Sequence, residues 1–325
     1  MSNRIAAAAL VLTAAFGIGC QSAEEAQPAS GEAPASIGEL TSGAEGFDTH
    51  SFYHDTGSEV VVFDAQFTPE LGREVVRAIQ AETSSPIRYV VISHPNPDKF
   101  NGVEAFREVG AEVVASEATA AAIPGVHAYK KGYFVNVAQM FTEETYPAEA
   151  TVDITFSGRF ALPLEGGAVV ELVELQNAGV STTQTVARIP AADALVVGDL
   201  IHHKAHAWLE GGIAEGAPRP DLASWHAALD ELLAFPEGTA LGGRGERAPV
   251  EDAVAAQQAY LTGMEALVGD YIDGLGDRRQ ELFTAEAGGH YKQIADLAAA
   301  AYPDHALSYL VEYGVYGLVN QMAAE

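Results

Sequence analysis

The sequence predicts an α/β fold with a layered first half, a β-rich middle and a helical end. Buried strands alternate with helices over residues 59–115 through short connections, as in one half of a layered α/β domain. Alternating runs joined by Gly and Pro turns occupy residues 151–189 and indicate an antiparallel meander. From residue 250 onward, apolar residues recur with helical spacing. At 325 residues the chain is long enough to bury a large core.

The predicted elements follow from periodicity and from turn residues. In the first half they are strand 59–64, helix 69–81, strand 87–93, helix 103–109 and strand 112–115. In the second half they are β runs 151–161, 168–175 and 183–189, strand 194–198, helix 221–233 and strand 239–241.

The last helical segment has an apolar face at i, i+3, i+4 spacing. Its members are Leu307, Leu310, Val311, Val315, Leu318, Val319 and Met322. Two interpretations stay open for this face: it docks onto the domain, or it forms a homodimer interface through the C-terminal helices.

The charge balance excludes one class of partner. Seventeen Lys and Arg residues face 45 Asp and Glu residues, a net charge of −28. A surface this acidic repels phosphate backbones and anionic lipid headgroups, so we expect no nucleic-acid partner. The single cysteine, Cys20, rules out an intramolecular disulfide and a thiolate zinc cluster.

The N-terminus predicts export. Arg4 precedes a 14-residue apolar run, too short to span a bilayer and typical of an export signal over residues 1–19. The end of this segment resembles a bacterial lipobox in which Cys20 is lipidated, although its small residues also suit ordinary cleavage. With Gln21 next, the resemblance implies an outer-membrane lipoprotein facing the periplasm, in contact with the membrane only through its lipid anchor. Residues 20–45, rich in Ala, Glu, Ser, Pro and Gly, predict a flexible linker.

Acidic and histidine side chains suited to catalysis or metal binding lie near the ends of predicted strands. Asp64, His94 and Asp199 come directly after or near the ends of strands, and Asp98 follows in a Pro-rich loop. Strand-end loops are where layered α/β folds place their sites.

These stretches resemble the metallo-β-lactamase superfamily. The matching sequences are VVVFD at 60–64, YVVISHPNPDKFNG at 89–102 and VVGDL at 196–200. The resemblance covers residues 46–248 and implies an αββα sandwich of two sheets with helices outside, leaving 249–325 as a C-terminal helical extension. It also implies a zinc- or iron-dependent hydrolase with its metal site at one edge of the sandwich.

Only part of the family's ligand set is present when it is carried over position by position. His94, Asp98 and Asp199 match metal ligands. The other ligand positions are Asn96, Lys99, Val180 and Arg244. Zinc needs nitrogen, oxygen or sulfur lone pairs, which a protonated Lys and an Arg do not offer. The residual ligands therefore predict an insufficient site: no cofactor, or at most zinc or iron at a reduced one.

The replacements favour organic cations in place of the metal. Without a dication, Asp98 and Asp199 would repel each other. A cation about 4 Å from a carboxylate gains roughly 4 kcal/mol at an effective dielectric near 20, before desolvation. We expect Lys99 and Arg244 to supply these charges.

The sequence also offers candidates for a substrate pocket and for catalysis. His206 and Trp208 resemble a His-x-Trp pair that lines the family's cleft, and His206 is either a pocket residue or a substitute ligand. The expected pocket comprises Asn96, Val180, Ser181, His206, Trp208 and Arg244. The candidate catalytic residues are Asp98, Lys99 and His206.

Three functions stay open on sequence grounds. The first is a metal-free pseudoenzyme that binds a small molecule or a protein partner. The second is a working hydrolase of ester, thioester or lactone bonds, with a single or rebuilt metal site or with Lys99 or His206 as base. The third is a structural role in which the fold presents the C-terminal helices for assembly.

Overall fold

A computed structural model describes residues 37–324 of the chain. The predicted export signal and the predicted lipidation site Cys20 lie outside this range. The linker predicted over 20–45 is too long, because residues Ile37–Thr41 form strand β1. Ile37 and Leu40 pack against the apolar clusters of the first sheet, and β1 pairs antiparallel with the next strand. The linker prediction rests on composition alone, which does not detect this short amphipathic run.

The first sheet has six strands in chain order. They are β1, β2 (His50–Asp55), β3 (Val60–Phe63), β4 (Ile87–Val91), β5 (Glu112–Ser116) and β6 (Ile154–Phe156). Strands β1 to β3 pair antiparallel, and β3 to β6 pair parallel. The parallel part corresponds to the predicted strand–helix alternation.

The second sheet has the order β14-β13-β10-β9-β8-β7. Its strands are β7 (Arg159–Ala161), β8 (Glu171–Glu174), β9 (Thr185–Ile189), β10 (Ala194–His203), β13 (Thr239–Gly245) and β14 (Ala248–Pro249). All neighbours are antiparallel except β10 and β13. A separate hairpin joins β11 (Gly212–Ala214) to β12 (Ala217–Arg219).

Helices cover the outer faces of both sheets. The first set is α1 (Pro69–Glu82), α2 (Pro97–Phe100), α3 (Val103–Arg107) and α4 (Glu117–Asn136). The second set is α5 (Leu222–Leu232), α6 (Val250–Leu275), α7 (Ala287–Ala301), α8 (Tyr309–Gly314) and α9 (Tyr316–Ala324). Short 3-10 turns cover Ala44–Gly46, Glu165–Gly167, Pro190–Ala192 and Gly276–Phe283.

Alternation along the strands explains the layers. In β3, Val60 and Val62 belong to the apolar cluster shared with α1 and α4, whereas Val61 and Phe63 belong to the cluster between the sheets. Successive side chains of a strand point to opposite faces, so one strand serves two cores. The predicted αββα sandwich is confirmed.

The C-terminal helices share a core with the second sheet. Leu310, Val315 and Val319 are fully buried in the cluster that contains Leu195 and Val197 of β10. The apolar face therefore docks within the chain, in two helices rather than one. A homodimer through these helices stays a prediction. Within residues 37–324, no helix combines the length and the apolar character that crossing a membrane requires.

Three elements that frame the site differ from the sequence prediction. Helix α4 was not predicted, because its Ala, Gly and Pro residues give no apolar stripe, although the Ser116 side chain caps its first turn. Strands β10 and β13 continue beyond the predicted 194–198 and 239–241, so Asp199 and Arg244 lie within strands rather than in loops.

Candidate functional site

Four charged side chains meet at one edge of the sandwich. Asp98 and Lys99 lie in α2, the short helix after β4, while Asp199 lies in β10 and Arg244 in β13. All four are buried, with Lys99 0% exposed. We call this group the ion quartet. It joins a helix next to the first sheet to two strands of the second.

Close backbone approach brings Asp199 and Arg244 together. Strands β10 and β13 are parallel, with register shifts on both sides of Gly198, whose φ is +56°. On the facing strand, a Cβ at position 243 would lie 1.8 Å from Asp199 Oδ1. Glycine at 243 is therefore what allows the Asp199 carboxylate to lie against β13.

Arg244 bridges the two acids. Its Nη1 donates to Asp199 Oδ2 at 2.7 Å, and its Nη2 donates to Asp98 Oδ2 at 2.9 Å. The remaining donors reach the segment between β1 and β2, with Nε donating to the Phe47 carbonyl at 2.7 Å and Nη2 to Thr49 Oγ1 at 2.9 Å. The planar guanidinium thus fixes four groups at once.

Lys99 completes the quartet from the opposite side. Its Nζ donates to Asp199 Oδ1 at 2.8 Å and lies 2.9 Å from Asp98 Oδ2. A third carboxylate, Asp64, is farther away, with Oδ2 3.9 Å from Nζ. Each acid of the quartet therefore contacts both cations.

Two neutral partners flank the quartet. Ser93 donates its backbone N–H and its hydroxyl to the Asp64 carboxylate at 2.9 and 3.0 Å. His94 Nδ1 lies 2.9 Å from the same hydroxyl. Its Nε2 lies 3.7 Å from Asp199 Oδ2 and has no hydrogen-bond partner among residues 37–324.

The cations keep both acids of the quartet ionised. Burial alone would raise the pKa of Asp98, but the charges of Lys99 and Arg244 outweigh burial and lower the pKa to about 2. The same competition holds the pKa of Asp199 well below its usual value. In return, the carboxylates of Asp199 and Asp98 outweigh burial and raise the pKa of Lys99 and that of Arg244. Lys99 stays protonated at neutral pH, which contradicts its predicted role as a general base.

The pKa values of the neighbouring Asp64 and His94 shift instead towards the neutral form of each group. Burial raises the pKa of Asp64 to about 7 and lowers the pKa of His94 to about 4. At neutral pH the quartet holds two positive and two negative charges beside a neutral imidazole.

The family can now be assigned. A model of the metallo-beta-lactamase superfamily matches residues 44–244. The chain belongs to the metallo-beta-lactamase superfamily. Among solved structures, a metallo-beta-lactamase from Pontibacter korlensis aligns with a TM-score of 0.51 and 22% identity, covering 66% of this chain and 87% of that one. At this identity the likeness shows the fold alone. No curated protein matches the sequence.

The residues at this edge do not fit the zinc that the superfamily usually binds. Both oxygens of Asp199 and Oδ2 of Asp98 already contact ammonium or guanidinium nitrogens at 2.7–2.9 Å. Neither nitrogen type has a lone pair to share with a metal, and their charges would repel a dication. Of the matched nitrogen ligands only His94 Nε2 is left. No group of three or more His, Cys, Asp or Glu side chains in the described part of the chain is placed to hold a metal ion.

Aromatic rings line a small cavity beside the quartet. Its volume is about 30 Å³, enough to hold water, and it adjoins Asp98, Asp199 and Arg244. Its other lining residues are Phe47, Phe67, Asn96, Pro97, Lys130, Phe134 and Trp208. We call Phe47, Phe67, Phe134 and Trp208 the aromatic lid. Ring centroids within it are 4.9–5.9 Å apart, so the rings pack against one another and leave only the small cavity beside the quartet.

The predicted pocket residues do not lie together. Asn96, Trp208 and Arg244 line the small cavity. Val180 is instead fully buried in the core under the second sheet. Ser181 lines a different cavity, described below.

The structure places His206 against residues of the C-terminal extension. Its Nδ1 lies 3.0 Å from the Tyr260 hydroxyl, and its ring packs against Tyr302 and His305 of the C-terminal extension. Among the described residues, none of its hydrogen bonds or ring contacts involves an acid of the ion quartet. Burial lowers its pKa to about 4, and it rebuilds no metal site. The His206 ring is surrounded by Tyr260 of α6 and by Tyr302 and His305, a tertiary contact that sequence spacing does not reveal.

Sequence reasoning missed the groups that enclose the quartet. Thr49 and Phe47 supply acceptors to Arg244, and Ser93 links Asp64 to His94. Lys130 of α4 lies over the Trp208 ring, 5.1 Å from its centroid, and forms a buried ion pair with Glu210. Of these residues only Ser93 has a sequence signal, because it directly precedes His94 in the quoted stretch 89–102.

Removing one cation of the quartet should destabilise the fold. Lys99→Met leaves two buried carboxylates with a single counter-charge, and we expect a loss of about 3–5 kcal/mol in the free energy of unfolding. Lys204→Met is the matched control, because Lys204 pairs with Glu246 at the surface, where a pair contributes at most about 1 kcal/mol. Urea titration at pH 7 measures both. Equal losses in the two variants would contradict a buried role for Lys99.

Asp64 should impose a pH dependence of its own. Its pKa rises from 3.8 to about 7 in the folded state, so the folded protein binds more protons between these values. Stability contributed by this group is therefore complete at low pH and is lost as pH rises from about 4 to 7. Asn tolerates the positive φ of +67° at this position. The difference in unfolding free energy, wild type minus Asp64→Asn, should fall across this window and be flat above it; a flat difference throughout would refute the raised pKa.

Proposed function

We propose that this chain is a metal-free member of the superfamily that acts as a binding protein rather than a hydrolase. One observation carries the proposal: Lys99 and Arg244 occupy two matched ligand positions and neutralise the acids that a metal would bind. A centre already neutralised by fixed cations has no charge left to hold a dication.

The small size of the cavity beside the quartet supports the same conclusion. An ester, thioester or lactone needs a cleft in which its carbonyl meets an activated nucleophile. At the quartet the space is about 30 Å³, and the aromatic lid covers it. Hydrolysis at this edge is the competing outcome of the test below.

The proposal includes the location of the protein. The apolar run before Cys20 and the lipobox-like residues support an exported lipoprotein, anchored to the outer membrane through Cys20 and facing the periplasm. Its partner is then a small molecule or a protein of that compartment.

Metal analysis tests the proposal. We expect protein purified without chelator from zinc-supplemented cells to hold far less than one equivalent of zinc, iron or manganese. The variant Lys99→His/Arg244→His adds two imidazoles beside Asp98, Asp199 and His94, and we expect it to bind zinc. The comparison of this variant with the wild type shows whether Lys99 and Arg244 are what excludes zinc.

Activity assays complete this test. On a panel of esters, thioesters and lactones, with and without chelator, we expect no turnover above background. A wild-type protein that retains one tightly bound metal, or turnover that Asp199→Ala abolishes, would overturn the proposal.

A further inference from the structure

A second cavity lies apart from the ion quartet. Its volume is about 590 Å³, it is half open to solvent, and none of its lining residues borders the small cavity. Residues 178–182, the end of the β11–β12 hairpin and the first turn of α5 form one side of it, and residues of α6 and α9 form the other. This space is large enough for a small organic ligand.

The walls of this cavity are held rigidly. Gly212 of the hairpin lies so close to residues 181–182 that a Cβ there would be 2.6 Å from the backbone nitrogen of Thr182. The backbone N–H of Ala178 donates to Ser224 Oγ at 3.1 Å, and Asp221 caps α5 by accepting from the Ser224 backbone at 2.8 Å. The cavity is therefore formed in advance of any ligand.

Arg219 stands at this cavity without a counter-charge. Every other Lys or Arg side chain in residues 37–324 makes an ion pair or a hydrogen bond within that range, whereas Arg219 makes neither. The Arg219 side chain is exposed, so its guanidinium is reachable from solvent. It is a ready donor for a ligand carboxylate.

Ser181 adds an unsatisfied hydroxyl. The residue lines the cavity, is 5% exposed, and its Oγ has no hydrogen-bond partner among the described residues. Buried polar atoms are nearly always paired, so this one calls for an explanation. A rotation about its Cα–Cβ bond is the movement that would present the hydroxyl to a bound molecule.

The remaining lining groups define the rest of the ligand. Leu222, Leu318 and Met322 supply apolar surface, and Glu265 of α6 supplies a negative charge. One oxygen of the Asp221 carboxylate accepts the α5 cap hydrogen bond, whereas Glu265 makes no ion pair or hydrogen bond with the other described residues. One cation, one free acid and an apolar surface suit a molecule with both charges and an apolar body.

We infer that this cavity binds a small zwitterion with apolar side chains, of the hydrophobic amino acid or dipeptide class. Arg219 receives the carboxylate, Glu265 the ammonium group, and Leu222, Leu318 and Met322 the side chains. The inference rests on the proposed binding role and adds to it a place and a ligand class.

Calorimetric titration with L-leucyl-L-leucine tests this site. Saturable binding of the dipeptide is expected, together with at least about tenfold weaker binding of its N-acetyl derivative, which lacks the ammonium, and of its amide, which lacks the carboxylate. Absence of saturable heat with the dipeptide would overturn the inference, as would equal binding of all three probes.

Variants locate the binding. Arg219→Gln should weaken the dipeptide about tenfold and leave the amide unchanged. Arg159→Gln is the control, because Arg159 is an exposed arginine paired with Glu171 outside the cavity. Ser181→Ala should weaken binding without lowering the melting temperature, since its hydroxyl has no partner to lose. Wild-type affinity in Arg219→Gln would refute the assignment.

These results are separable from those on the metal. A zinc-loaded protein that still binds the dipeptide would overturn the proposed loss of metal and keep this site. A metal-free protein without dipeptide binding would do the reverse.

Discussion

The contacts of Lys99 and Arg244 with Asp98 and Asp199 are the constraint on which the rest of the structure depends. Two carboxylates at this edge repel each other unless positive charge lies between them, and burial makes an uncompensated pair very costly. The cations come from α2 beside the first sheet and from β13 of the second, so the same contacts connect the two layers. Arg244 also fixes the segment that carries Phe47 and Thr49. In a metalloenzyme a metal ion both neutralises such carboxylates and connects the layers. Here the side chains of Lys99 and Arg244 do both.

The aromatic lid and the C-terminal helices extend this constraint outward. Trp208 donates its indole N–H to Glu210 at 2.8 Å, and Glu210 also accepts from Lys130 of α4 and Tyr316 of α9. On the other side, Tyr309 of α8 donates to Asp48, next to Phe47 in the lid. The extension thus braces both walls of the covered site. A chain that opened this edge to a substrate would have to disturb buried hydrogen bonds in several elements at once.

Much of this arrangement was predictable, and the exceptions have physical causes. The quoted stretches located Asp98, Lys99 and Asp199, and the position-by-position match to the family's ligands located Arg244. The lid was not predictable, because Phe47 and Phe134 meet only through tertiary packing and neither shows a local pattern. His206 misled the interpretation, since its spacing from Asp199 suggested the cleft while its ring belongs to a pocket of tyrosines. Periodicity likewise missed β1, which is short, and α4, whose apolar residues form no stripe along one face.

Lys99 and Arg244 neutralise Asp98 and Asp199 at one edge of the sandwich, and we propose that they exclude a metal there, while the larger cavity lies elsewhere. Crystals grown with excess zinc, measured just above the zinc absorption edge, test this most directly. The account predicts no anomalous peak beside Asp98 and Asp199, with Lys99 Nζ and the Arg244 guanidinium in density between them. A strong peak coordinated by these acids and by His94, with Lys99 turned away, would contradict it.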